Sequence, residues 1–295
     1  MRQFSQSIYK NIAFLICFAY DLGVASLIEF IDNRLLHGSA YFDRKELLSE
    51  LGFTPERANL AIARLVKKRR LANPRHGFYL ILRPEDQAYG APDPSRWINP
   101  LMKHQGVDYR ISLLRAAGFH GSSHQAAMVF QVIVPVQLRA IEIGRHRIQF
   151  VYQSPKTFGK LNQPEFLEEM KTDAGYAKVA GAELTLLDCA RYFHKASGLN
   201  GVAQIVKDIG AKANPRILAK AATACENATV RRLGYLLDRA GHARQAKALE
   251  PFAKMAKTPV LLDPSITSFP ESMVESREKD AKWKLLINDF VEIDF

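Results

Sequence analysis

His120 and His124 stand four residues apart, the spacing that puts two imidazoles on one helix face and onto one metal ion. Gly121-Ser122-Ser123 between them reads instead as a helix start, and no Asp, Glu or Cys lies close in sequence to complete a ligand set. Both histidines are therefore expected as satisfied polar residues near a helix N-terminus. Glu142, with Arg145 and Arg147, has something of a metal-dependent nuclease strand. The ExK spacing is missing, and Arg is a poor substitute for a Lys whose role needs an adjustable pKa. Asp188-Cys189 offers a thiol to which no base can be assigned, and Ser112, Ser122 and Ser123 lack the strand–turn–helix setting of a nucleophile elbow. There is no GxxxxGK[ST] loop and no GxGxxG after a strand. No catalytic centre, metal or cofactor is expected.

The other chemistry on offer is electrostatic. In RLVKKRRLANPRHGFYLIL, Arg64 to Leu82, six of the first twelve residues are Lys or Arg. The 295-residue chain has a net charge of +11. Residues 1–83 hold 13 Lys/Arg against 7 Asp/Glu, and residues 44–83 hold 10 against 3. A surplus this local is the footprint of a face that binds a polyanion.

The elements around that run have clear punctuation. Asp43 caps a helix over Arg44–Leu51, and Glu46 three residues on completes a capping box. Gly52 ends it, and Thr54-Pro55-Glu56 opens the next helix with a cap, a first-turn proline and an acid. With only Gly52 and Phe53 between them, the two helices must turn sharply, as in a helix-turn-helix. On a wheel of 100° per residue, Ala58, Ala61, Ile62, Leu65 and Val66 share the core side, and Arg69 falls there too. Arg57, Leu60, Ala63, Arg64 and Lys67 face outward, flanked by Asn59 and Lys68. The basic run Lys67–Arg70 also suits the helix dipole. Leu71-Ala72, a turn over Asn73–Gly77 and Phe78–Leu82 read as a β-hairpin, which makes the unit a winged helix. Thr54, Arg57, Asn59 and Arg64 are expected in the major groove, Asn on adenine and Arg on guanine edges. Lys67, Lys68, Arg75 and His76 are expected on phosphates.

Pro84–Asp86 and Gly90–Pro94 mark a linker. The expected domains are a winged helix over 1–90, an α+β subdomain over 91–180 and a mainly helical subdomain with C-terminal strands over 181–295. The fold class is thus α+β: an N-terminal winged helix-turn-helix, then a mixed domain with a small antiparallel sheet and a helical bundle. In the middle part Arg110–Ala117 and Pro164–Lys171 read as helices. Val129–Val134, Tyr176–Ala180 and a hairpin of Arg139–Ile143 with Arg147–Tyr152 read as strands. The last part reads as helices over Glu183–Ala196, Val202–Ile209, Pro215–Ala224, Thr229–Ala240 and Ala243–Ala256. Strands Val260–Leu262 and Trp283–Ile287 follow, with a charged, exposed segment Glu271–Lys282 between them and an alternating Phe290–Phe295 at the end. Arg231, Arg232, Arg239 and Arg244 form a candidate basic face there, a plain solvated helix surface being the equal alternative. Cys17, Cys189 and Cys225 are odd in number with no CxxC, which suits buried inert thiols and a reducing cytoplasm. Residues 12–31 are apolar and long enough to span a bilayer, but Asp21 and Glu29 interrupt them, so a buried helix or helix pair is expected and no membrane.

Several segments together resemble the AbiEi-type antitoxins. They are Leu113–Ala117, His120–Gln125 and Val129–Pro135, the hairpin Arg139–Ile148, Thr185–Asp188, Arg231-Arg232-Leu233-Gly234-Tyr235-Leu236-Leu237-Asp238, and Trp283–Asn288. The apolar stretch at 11–31 is not part of that likeness. The resemblance implies an antitoxin of a type IV toxin–antitoxin or phage abortive-infection system, without a catalytic centre or cofactor. Its winged helix would repress the operon by binding double-stranded operator DNA. Its C-terminal domain would counteract a cognate nucleotidyltransferase toxin. The competing reading is a nuclease-like enzyme with a winged-helix reader, for which Glu142 is the candidate strand carboxylate.

Overall fold

The computed structural model describes residues 23–122, 129–172, 175–266 and 279–291, and the chain is α+β. It divides into two compact units. Unit 1 takes residues 1–106, 140–148 and 171–176, and unit 2 the remainder.

Unit 1 opens with α1, residues 23–36, which turns Leu27, Phe30 and Ile31 into the core. The later part of the apolar stretch is thus a buried helix; residues 12–22 lie outside the described residues. Among the described residues no helix is long and apolar enough to cross a membrane. Strand β1 (Tyr41–Asp43) leads straight into α2 (Arg44–Leu51). Asp43 Oδ1 accepts from the Glu46 N–H at 2.8 Å, and Glu46 Oε2 accepts from the Asp43 N–H at 2.9 Å, closing the capping box. Gly52 ends α2 at φ 60°, and α3 (Pro55–Lys67) starts three residues later. Strands β2 (Leu71–Arg75) and β3 (Phe78–Ile81) form the hairpin, longer than expected, with only His76 and Gly77 in its turn. Asn73 Nδ2 makes this possible by donating to the Arg75 and Phe78 carbonyls at 2.8 and 2.9 Å. Strand β1, not anticipated from the sequence, pairs antiparallel with β3, giving the sheet order β1-β3-β2.

In the core of unit 1, Phe42 meets Phe30 edge-on at 5.3 Å and stacks on Tyr79 at 5.2 Å. Helix α3 contributes Ala58, Ala61, Ile62 and Leu65. Val66, expected with them, is 39% exposed, because it sits about a quarter-turn from the centre of that stripe. The order helix, strand, two helices, hairpin is compatible with a winged helix. The unit runs on through α4 (Pro84–Gln87) and α5 (Ile98–Gln105), where Ile98, Leu101 and Met102 are buried. Its first segment ends at Gly106.

Next come β4 (Arg110–Ile111), α6 (Leu113–Phe119), β5 (Val129–Val134), β6 (Ile141–Ile143), β7 (His146–Tyr152), α7 (Pro155–Leu161), β8 (Leu167–Thr172) and β9 (Gly175–Ala180). Arg110 and Ile111 are not helical as expected. They form a two-residue strand, antiparallel to β5 (Arg110↔Ile133) and parallel to β9 (Ile111↔Val179). Of the helix expected over Pro164–Lys171, Pro164–Phe166 is a single 3-10 turn, and the rest lies in β8 (Leu167–Thr172), which pairs beside β9. The hairpin β6–β7 pairs Ile141 with Ile148 and Glu142 with Arg147. Through residue 148 it belongs to unit 1.

The rest of unit 2 is mainly helical: α8 (Ala182–Arg191), α9 (Gly198–Ile209), α10 (Pro215–Ala222), α11 (Asn227–Arg239) and α12 (Ala243–Met255). Helix α8 is buried from Ala182 through Ala190, polar residues included. Strand β10 (Val260–Leu261) then runs parallel to β12 (Leu285–Leu286), and β11 (Lys279–Asp280) pairs antiparallel with β12. The exposed segment expected over Glu271–Lys282 is thus partly strand; residues 271–278 lie outside the described residues. Phe290 and Val291 are not in a strand, and 292–295 also lie outside.

Candidate nucleic-acid interface

The outer face of α3 presents Arg57, Asn59, Leu60, Arg64 and Lys67 to solvent. The stripe opposite is fully packed, so the orientation of this face is fixed by the core. Two expected contact residues already have local work. Thr54 Oγ1 accepts from the Arg57 N–H at 3.3 Å, as a cap does. The Arg57 guanidinium lies 4.4 Å from the centre of the Phe53 ring, which holds it at the sharp turn between α2 and α3. Lys68 closes the helix through its N–H to the Arg64 carbonyl at 3.0 Å and is exposed. The helix has ended before Arg69, so the wheel does not apply to it. Arg69 is exposed and left-handed at φ 53°, not buried. Arg70 Nη2 reaches Asp32 Oδ1 at 3.4 Å, an exposed ion pair with α1. At the hairpin tip His76 is exposed and Arg75 half-buried. The His76 carbonyl meets His104 Nε2 at 3.3 Å, and the His104 ring lies 5.5 Å from Phe78.

Other candidates of the sequence take structural positions. His120 Nε2 is 2.8 Å from the Ala180 carbonyl oxygen; His124 and Ser123 lie outside the described residues. Among the described residues no three His, Cys, Asp or Glu side chains are grouped to hold a metal ion. Glu142 is exposed and pairs with Arg147 at 3.6 Å. Cys189 is buried, and burial pushes its thiol well above the ordinary value; burial likewise pushes Cys225 up to about 12. Neither is a ready nucleophile. Cys17 lies outside the described residues.

Asp188 has a partner that the sequence did not suggest. Arg110 donates to it twice, Nε to Oδ2 and Nη2 to Oδ1, both at 3.0 Å. The Ser112 hydroxyl donates to Oδ2 at 2.8 Å, and Arg110 Nη2 also donates to Gln153 Oε1 at 2.9 Å. All four residues are buried. With its oxygens so engaged, Asp188 is a staple between β4 and α8, not an acid or base facing a substrate.

The basic face expected from Arg231, Arg232, Arg239 and Arg244 is half lost. Arg239 and Arg244 are exposed. Arg231 is 4% exposed, and its Nη1 donates to the Thr258 and Lys284 carbonyls, both at 3.0 Å. Arg232 donates through Nε and Nη2 to the Leu261 carbonyl at 3.1 and 3.0 Å. Burial draws both guanidinium groups below their ordinary pKa. A neighbouring pair completes this clasp. Trp283 Nε1 donates to Asp238 Oδ2 at 2.6 Å, and its ring lies against Gly234, where an added Cβ would come within 2.1 Å of Trp283 Cζ3. The two quoted segments of the resemblance, Arg231–Asp238 and Trp283–Asn288, are thus two sides of one internal joint.

Residues 110–239 match the family model for the AbiEi antitoxin C-terminal domain, from β4 to the end of α11. That stretch belongs to the AbiEi antitoxin family. The chain therefore carries the antitoxin domain of a toxin–antitoxin system. No curated protein matches it. Among solved structures it is similar to the crystal structure of the RV2827C protein from Mycobacterium tuberculosis, at 15% identity and a TM-score of 0.63. That match covers 87% of this chain and 89% of the other, and it is a likeness of fold alone.

Proposed function

We propose that this antitoxin is also a DNA-binding repressor of its own operon and that it counteracts a nucleotidyltransferase toxin by binding, without catalysis. Unit 1 is then a winged helix, α3 its recognition helix and β2–β3 its wing. The observation that carries this reading is the exposed α3 face, where Arg57, Asn59, Arg64 and Lys67 stand opposite a buried stripe. Guanidinium and amide groups on such a helix suit guanine and adenine edges in the major groove. Lys68, Arg75 and His76 flank that face and suit phosphates.

Fluorescence anisotropy with the chain's own promoter and an unrelated duplex tests it. Arg57→Ala with Arg64→Ala is expected to reduce promoter affinity to the level of the unrelated duplex. Unchanged promoter affinity would assign recognition to another face. The same variant, co-expressed with the toxin, is expected to restore growth, because antitoxicity resides in unit 2. Loss of rescue at normal protein level would refute that separation. The enzyme reading predicts metal-dependent DNA cleavage that Glu142→Ala abolishes.

A further inference from the structure

The hairpin β6–β7 packs within unit 1 beside the end of α3 and strand β2. Its approach is a backbone contact. Gly144, at φ 55°, lies so close to Tyr89 and Gly90 that an added Cβ would come within 2.0 Å of the Tyr89 carbonyl oxygen. Arg145 continues the contact by donating its N–H to that carbonyl at 2.8 Å. Between the hairpin and α3 lies an open groove of about 470 Å3. Its described lining includes Arg69 just past α3, Arg145 at the hairpin tip, the Tyr89 ring and the Gln87 amide, and it contains no Asp or Glu. Both arginines are exposed.

We infer that this groove is a second DNA-backbone grip, in which Arg69 and Arg145 hold a phosphate group of the duplex that α3 reads. Three features support this chemistry. The Arg145 guanidinium lies over Tyr89 at 5.4 Å from the ring centre, and Tyr89 is 52% exposed. A guanidinium stacked by its face keeps its N–H edge for a planar or tetrahedral oxyanion. Arg69 continues directly from α3, so a duplex lying along that helix reaches the groove by its backbone. The carboxylate nearest in sequence, Glu142, is engaged with Arg147 on the same hairpin. The contact is to phosphate, and it adds affinity without reading bases.

This inference rests on α3 being the recognition helix, and the test separates the two. Affinity of the full chain is measured against salt for the promoter and for an unrelated duplex. Arg69→Ala and Arg145→Ala are each expected to lower the slope of log K against log salt by about 0.9, equally on both duplexes. Arg145→Lys is expected to keep most of the slope. Arg147→Ala, whose charge is paired outside the groove, is expected to change it less. A urea melt accompanies each variant and is expected to be unchanged, since both arginines are exposed. Wild-type slopes for Arg69→Ala and Arg145→Ala, with promoter binding lost in Arg57→Ala/Arg64→Ala, would overturn the groove and leave α3 standing. The groove would equally fall if those two variants bound DNA normally but no longer neutralised the toxin, which would make it a protein-binding surface. Promoter binding untouched by either set would overturn both readings.

Discussion

Helices α3 and α11 are each thirteen residues long, and each carries arginines that the sequence offered as part of a basic face: Arg57 and Arg64 on α3, and Arg231, Arg232 and the exposed Arg239 on α11. On α3, Arg57 and Arg64 stand in solvent around a buried apolar stripe. On α11, Arg231 and Arg232 turn inward and close on the carbonyls of Thr258, Lys284 and Leu261. The difference lies in what covers each helix. The outer face of α3 is exposed, with the Phe53 ring and Gly23 lying against Arg57, whereas β10, β12 and the residues just before them bring the Thr258, Leu261 and Lys284 carbonyls to α11. A guanidinium has five donors and takes whatever acceptors are fixed nearby. An inward arginine is thereby a structural residue, whereas an outward one is exposed to solvent.

Substitutions can break or sharpen this contrast. The largest effect is expected from the most deeply enclosed arginine. Arg110→Ala leaves the Asp188 carboxylate buried without its cation and should cost about 3–5 kcal/mol in urea unfolding. Arg110→Met combined with Asp188→Leu should recover most of that, and failure to recover would mean that the pair does more than staple β4 to α8. Arg231→Ala removes a cation from two carbonyls and should cost about 2–3 kcal/mol. Its affinity for DNA, measured below the unfolding transition, should not change. Arg64→Ala should show the opposite pattern, with stability within about 0.5 kcal/mol of wild type and promoter affinity reduced by about 1–3 kcal/mol. If Arg64→Ala unfolded the protein or Arg231→Ala abolished DNA binding, the division into inward and outward arginines would collapse.

The smallest effect belongs to an exposed pair. Burial alone would raise the Asp108 carboxyl, but hydrogen bonds from Lys178, the Tyr109 N–H and Asn162 outweigh it and hold the pKa below the usual carboxylate value. A depressed folded pKa means stability that is present above the unfolded value of about 4 and is lost as pH falls through the folded one. Asp108→Asn should therefore lower stability slightly at neutral pH and flatten its fall on the acid side, the difference from wild type vanishing once the pH is below the folded pKa. A marked change at neutral pH would mean that this solvent-facing pair behaves like the enclosed ones.

The parts of the fold legible in the sequence were those whose cause is local. Helices α2 and α3 announce themselves through Asp43, Glu46, Gly52, Thr54 and Pro55, all within a turn of the ends they specify. The hairpin strands β6 and β7 show in their apolar alternation, and β5 in its apolar run. Strand β1 was hidden because three residues carry no period and its partner, β3, lies some forty residues on. Arg110 was misread for the same reason, since its strand is two residues long and is defined by neighbours on both sides. The inward turn of Arg231 and Arg232 was beyond reach, because their acceptors are main-chain carbonyls 27 to 53 residues away and a carbonyl has no letter of its own. Arg145 stood in the sequence beside Glu142 as part of a weak nuclease pattern. Its place beside α3 follows from Gly144 meeting Gly90, a contact between two residues without side chains.

The clasp of Trp283 on Gly234 also sets an order of events in synthesis. Asp238 leaves the ribosome 45 residues before the indole that it accepts. Until then the gap over Gly234 has no cover and Arg231 lacks the Lys284 carbonyl, having only that of Thr258. The helices of unit 2 are made early but cannot be sealed until this late segment arrives, whereas the core cluster shared by α1 through β3 is complete by residue 81. A nascent chain released just before Trp283 should therefore show a protease-resistant unit 1 joined to a protease-sensitive α11, which limited digestion with mass spectrometry of the fragments would reveal.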